Sequence, residues 1–232
     1  MKHLSWTLPL LALAACTAGL DDTGMDTGED PDLGLRFGFP VEEHDLIRPP
    51  AMGVDHDPVQ YEGAWRITCT NYRGDSYPYC YDEHGGTDFI LDGGFTAMDA
   101  GSATVVAAAD GEVVSTDDGH YDRCHADITS LDVSCDGYEM IGNHVILEHE
   151  DGYRTKYWHF MSGSVLVEVG DEVLAGEPLG LIGSSGYSSL PHLHFGLEDE
   201  HEVAIDPYAG PYSQETSWWC EQGDPDGLPG DC

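Results

Sequence analysis

The stretch SSLPHLHFGLEDE, residues 188–200, places His192 and His194 one residue apart. In an extended strand successive side chains point to opposite faces, so the two imidazoles share one face while Leu193 and Phe195 take the other. Upstream, YDEHGGTDFIL sets His84 and Asp88 four apart around Gly85 and Gly86. Paired glycines let the backbone turn tightly, so an imidazole and a carboxylate can converge just before a strand. A third fragment, TKYWHFM, carries His159, expected to share a strand face with Tyr157 while Trp158 and Phe160 take the other. Two imidazoles and a carboxylate give an open catalytic zinc site, which keeps three protein ligands and leaves a fourth position for water. Of His192 and His194 only one need ligate; the other then stands within reach of that water or of a carbonyl under attack. Each fragment alone also fits a strand with solvated histidines, because short motifs match by chance.

Holding such groups together requires a stiff scaffold, and the chain reads as short strands separated by turn signals. The segments DFIL, ATVVAAA, GEVVST, HVILEHE, YRTKYWHF, SVLVEV, PLGLIG and HLHFGLE are the expected strands. Nothing between Thr87 and Glu198 sustains a helical period, so the fold class is mainly β: an antiparallel sheet with helix short and peripheral. AADGEVVS and EDGYRTKY place Asp-Gly between β-rich runs, the strongest short hairpin signal.

Together the three fragments resemble the lysostaphin-type, LytM-like zinc endopeptidases that hydrolyse peptidoglycan. The resemblance runs from about Tyr81 to Tyr208 in the family's order: H-x-x-x-D, a VVAAADGEVVS-like region, GNHVILEHEDGYRTKYWHF, GDEVLAGEPLGLIGSSGYSSLPHLHFGLE, then IDPY. It implies an antiparallel β metallopeptidase domain of that type, here with disulfide-closed loop insertions. It also implies one zinc ion (Zn2+) per chain, with His84, Asp88 and His194 as ligands and His159 and His192 as catalytic histidines that do not ligate. His192 is then the general base and proton shuttle and His159 the stabiliser of the developing oxyanion, or the two roles are exchanged. No metal position is degenerate, which counts against the inactive, adaptor-like members. The departures are the cysteine-bounded approach to His84 and the stretches Cys124–Cys135 and Cys220–Cys232, which read as insertions that shape the groove walls.

Of the remaining histidines, His120, His125, His144, His149 and His201 read as structural or solvated, since one complete site accounts for the signal. Tyr187 reads as groove lining or packing anchor. Trp218 and Trp219 read as a wall-binding platform or a cover over the core beside Cys220.

With 44 acidic against 8 basic residues and a formal net charge of -36, the surface repels phosphate backbones and argues against nucleic-acid binding. The Asp-rich DDGHYDRCHAD lacks the regular ligand spacing of a calcium loop, and a solvated acidic shell suited to high salt is the plain reading. The start, MKHLSWTLPLLALAAC, has a positive n-region and an apolar segment too short for a membrane span of about 20 residues. It reads as an export signal whose LAAC ending resembles a lipobox, with Cys16 as the lipid-bearing anchor. Setting Cys16 aside leaves six cysteines, and local pairing of Cys69 with Cys80, Cys124 with Cys135 and Cys220 with Cys232 closes short loops at low entropic cost.

The expected organisation is a signal peptide at 1–15 and an acidic flexible tether at 16–35. A lead-in packed on the domain follows at 36–80, then the zinc metallopeptidase domain at 81–210 and a disulfide-closed tail at 211–232. The expected protein is a monomer of the cell envelope, held by its lipid at an outer membrane and facing the periplasm. It cuts peptide stems or cross-links of peptidoglycan. The alternatives are a non-hydrolytic envelope module that binds peptidoglycan or activates an amidase, and an endopeptidase for Gly-rich proteins outside the wall.

Overall fold

Short runs of alternating residues become twelve strands in the computed structural model, which describes residues 34–60, 68–127 and 132–232. They are β1 (Ile47–Met52), β2 (Thr87–Leu91), β3 (Thr104–Val106), β4 (Gly111–Asp117), β5 (His125–Ala126) and β6 (Val133–Ser134). Then come β7 (His144–Glu148), β8 (Arg154–Trp158), β9 (Glu172–Val173), β10 (Pro178–Leu181), β11 (His192–Glu198) and β12 (Ala204–Ile205). The one α-helix among the described residues, α1 (Gly94–Asp99), is a short link after β2. The expected signal peptide, Cys16 and nearly all of the tether lie outside the described residues.

The main sheet runs β1-β2-β11-β8-β7-β4-β9, with β12 also on β11, and β3 with β10 and β5 with β6 form two small sheets. Every pairing is antiparallel. Register aligns Asp88, His194, Trp158 and His144 across four strands, so they form one row on one face. The opposite face carries Phe89, Leu193, Phe195, Leu197, Tyr157, Val145 and Leu147, all buried. Phe37 and Trp219 close over that face, their rings 6.0 Å and 5.2 Å from Phe195. Each such apolar side chain contributes about 1.5–3 kcal/mol on burial, and this face holds the strands under the row of polar groups.

Several expectations change. The lead-in, which holds none of the expected strands, supplies β1 as an edge strand of the main sheet. Pro49 and Pro50 are tolerated there because an edge strand can spare donors, and the β1–β2 register shifts between Arg48 and Met52, where they sit. EDGYRTKY does make the expected hairpin, joining β7 to β8 with positive φ at Asp151 and Gly152. AADGEVVS does not: β3 pairs β10 while β4 pairs β7 and β9, so Asp110-Gly111 marks a passage between sheets. SVLVEV forms no ladder strand, although Leu166 N–H donates to Leu179 O at 3.0 Å.

The three disulfides are the local pairs expected, Cys69–Cys80, Cys124–Cys135 and Cys220–Cys232. The C-terminal segment does more than close a loop, because Trp219 is only 1% exposed and belongs to the core. Trp218 stacks on Phe37 at 6.2 Å, so the pair covers the core rather than forming an open platform. No helix of the described residues is long and apolar enough to cross a membrane.

Candidate metal centre

Antiparallel pairing of β2 with β11 sets Asp88 directly beside His194. His84 arrives from the loop before β2, where the backbone is clamped by Asp55: Asp55 N–H donates to His84 O at 2.8 Å, and Glu83 N–H donates to the Asp55 carboxylate at 3.1 Å. The result is a triangle of donor atoms. His84 Nε2 stands 3.1 Å from Asp88 Oδ1 and 3.2 Å from His194 Nδ1, and His194 Nδ1 stands 2.9 Å from Asp88 Oδ1. Among the described residues no other trio of His, Cys, Asp or Glu converges in this way.

The triangle suits a cation. His84 Nδ1–H donates to Gly53 O at 2.8 Å, so a neutral His84 turns the lone pair of Nε2 toward the Asp88 carboxylate. Two acceptors facing each other repel, and either protonation of the ring or one cation among the three relieves this. Neighbouring ligands of a tetrahedral zinc at about 2.0–2.1 Å stand roughly 3.3 Å apart, close to the spacings observed. Burial works to raise the Asp88 pKa, but the adjoining His84 and His192 hold it well below the usual carboxylate range, so the carboxylate is charged. Burial lowers His194 below the ordinary histidine value despite the pull of Asp88, which favours the neutral ring that a metal requires.

Gly86 explains half of the glycine pair. Neither Gly85 nor Gly86 has positive φ, so the tight-turn reading does not hold. A Cβ on Gly86 would lie 2.7 Å from the His194 ring and 2.7 Å from Phe195 O, whereas one on Gly85 would meet nothing within 4 Å. Gly86 is needed for close approach, not for backbone freedom.

His159 and His192 flank the triangle, with ring centroids 4.6 Å apart and His159 5.9 Å from His194. The strand reading of His159 needs correction. β8 ends at Trp158, and His159 has φ 73°, which breaks the alternation. Tyr157 therefore faces the core while His159 turns to the side of Asp88 and His194. Its Nδ1–H donates to Ser185 O at 2.6 Å, leaving Nε2 for the site. His192 Nδ1–H likewise donates to Leu190 O at 2.7 Å, and its Nε2 lies 3.4 Å from Asp88 Oδ1. Burial, with His192 and His194 nearby, holds His159 well below the usual histidine range. Burial opposes charge on His192 too, but Asp88 raises it on balance.

The loop feeding His192 into β11 leans on the disulfide-closed hairpin. Ser188 Oγ is 3.2 Å from His192 Nδ1 and 2.8 Å from Ser184 Oγ, and Ser184 donates to Cys124 O at 2.7 Å. That insertion therefore buttresses the site. Tyr187, 63% exposed, donates to Asp132 on the same insertion at 3.1 Å.

The five histidines read as structural or solvated lie outside the triangle. His149 is buried between Asp110 O and the Thr155 hydroxyl, and His144 stacks on Trp158 at 4.4 Å. His120 pairs with Asp117, His125 with Arg123 O, and exposed His201 with Glu200. The spacing of the sequence did not mark Tyr81, whose hydroxyl donates to Asp88 Oδ2 at 3.2 Å and whose ring stacks on His84 at 4.1 Å. Nor did it mark the carbonyls of Gly53, Ser185 and Leu190. A carbonyl has no sequence signature; Tyr81 had one signal only, its place between Cys80 and His84.

A family model described as Peptidase family M23 matches residues 83–207, more than half of the 232-residue chain. Peptidoglycan DD-endopeptidase ShyA of Vibrio cholerae is 32% identical over 114 residues, 49% of this chain and 20% of that protein. Murein hydrolase activator EnvC of Escherichia coli is 37% identical over 71 residues, 31% of this chain and 16% of that protein. The chain thus spans a fifth or less of these curated relatives. The catalytic domain of the antimicrobial peptidase lysostaphin from Staphylococcus simulans superimposes with a TM-score of 0.37 at 26% identity, covering 64% of this chain and 89% of that one.

Proposed function

The chain belongs to peptidase family M23, and from that premise we propose that it is a zinc endopeptidase that hydrolyses peptide bonds in peptidoglycan cross-links. The observation that carries this reading is the triangle of His84 Nε2, Asp88 Oδ1 and His194 Nδ1 with two further imidazoles turned toward it. A zinc ion held by those three residues, one per chain, would supply Lewis-acid activation of water and carbonyl.

The chain's own groups manage the protons. His159 and His192 each spend Nδ1–H on a carbonyl, so each presents Nε2 to the reacting atoms. As a water oxygen bonds to the scissile carbonyl carbon, one Nε2 takes its proton while the other ring donates to the developing oxyanion. The proton then passes to the amide nitrogen as the C–N bond breaks, leaving a carboxylate and an amine. Burial favours the neutral ring of His159, which suits it to accept, and Asp88 shifts His192 toward the protonated form, which suits it to donate. With a cation bound at Asp88 the attraction that raises His192 would be weaker, and the two rings would come closer to exchanging roles.

The second reading, a module that activates another wall hydrolase, is favoured by the likeness to EnvC. The complete set of five side chains supports hydrolysis instead. The test separates ligands from proton carriers. In His194→Ala and Asp88→Ala, zinc content and cleavage of purified muropeptides should fall together. In His192→Ala and His159→Ala, zinc should stay near that of the parent while turnover drops by about 10² or more. Parental cleavage by all four variants would leave the activator reading in its place. The envelope anchor belongs to the same proposal, with Cys16 as the lipid-bearing residue, and membrane fractionation of Cys16→Ser checks it by release into the soluble fraction.

A further inference from the structure

We propose that Tyr81 is a positioning residue of the metal centre, holding one oxygen of Asp88 so that the other alone faces the metal. This rests on the metalloenzyme reading above. The two carboxylate oxygens of Asp88 have different surroundings. Oδ1 lies within 2.9–3.4 Å of a nitrogen on each of His194, His84 and His192. Oδ2 accepts from the Tyr81 hydroxyl at 3.2 Å. A carboxylate is free to bind a metal through one oxygen or two, and a donor fixed on the second oxygen selects the first mode. The Tyr81 ring also stacks on His84 at 4.1 Å with an interplanar angle of 21°, so one side chain touches two of the three ligands.

Tyr81 is itself held from outside the segment that matches the family, which begins at residue 83. It follows Cys80, which is buried and tied to Cys69. Gly53 N–H donates to Tyr79 O at 2.7 Å, and Gly53 O receives the His84 Nδ1–H. The lead-in thus supplies an outer contact to His84 through Gly53, and its last residue, Cys80, ties down Tyr81, which contacts Asp88. Outer contacts of this kind commonly change metal affinity by about 10–100-fold when removed.

The experiment uses Tyr81→Phe in the full chain, which keeps the stacked ring and deletes the hydroxyl. Zinc dissociation constants come from competition with a chromophoric chelator, and melting curves of the metal-free protein report packing. Cobalt(II) spectra of parent and variant report coordination number. The expected result is zinc binding weaker by about tenfold or more, an unchanged metal-free melting temperature, and a weaker cobalt d–d band as the second oxygen becomes free to coordinate. Tyr79→Phe, on a neighbouring tyrosine that does not touch the ligands, should leave all three unchanged. Parental zinc affinity in Tyr81→Phe overturns the proposal, and so does a loss of affinity matched by a lower metal-free melting temperature, which marks a packing role. A parent chain that binds no zinc overturns the metalloenzyme reading and this proposal with it.

Discussion

His84, Asp88, His159, His192 and His194 were legible as residues because their chemistry is in their side chains and their spacing sets faces. What spacing could not show was how each ring is aimed, since that depends on carbonyls of Gly53, Ser185 and Leu190 and on the positive φ of His159. The glycine pair teaches the same lesson: its position was visible and its reason was not. Gly86 faces the His194 ring and Phe195 O, so Gly86→Ala should cost about 1–3 kcal/mol as an overpacking change and displace His194. Gly85→Ala, with open space at its Cβ, should be tolerated. Thermal unfolding and zinc stoichiometry of the two variants check this, and equal behaviour would show that the steric account of Gly86 is mistaken.

Strands were legible where one face is buried and the other is not, as in β7 and β8, because alternation then follows from the core itself. Alternation failed for SVLVEV, in which Val165 and Val167 pack on the core while the segment stays out of any ladder. Prolines hid β1, since a strand with Pro49 and Pro50 is acceptable only at an edge, and edges are a property of the assembled sheet. The C-terminal segment was hidden for a related reason. Its cysteines suggested a closed loop, but Trp219 packs among Phe195, Tyr208, Phe89 and Phe37. Trp219→Ala should therefore destabilise the domain by about 3–5 kcal/mol, far more than loss of a surface aromatic. Denaturant unfolding measures it, and a change below about 1 kcal/mol, the range usual for surface substitutions, would return the segment to the status of an appendage.

At the scale of the whole molecule, the dominant quantity is the formal net charge of -36. Such a field repels anionic polymers over a Debye length of about 8 Å at physiological ionic strength, yet it attracts divalent cations without specificity. A bound metal in this chain therefore has to be traced to the His84, Asp88 and His194 triangle rather than to the acidic surface, and reconstitution under high salt does so by screening exposed sites. The most direct measurement is mass spectrometry of muropeptides incubated with the purified full chain after chelation, and again after one equivalent of zinc is restored in high salt. The account predicts no cleavage by the chelated chain and, once zinc is restored, new fragments whose masses sum to that of the cross-linked parent plus one water. Cleavage that persists in the chelated chain, or none after restoration of bound zinc, would contradict it.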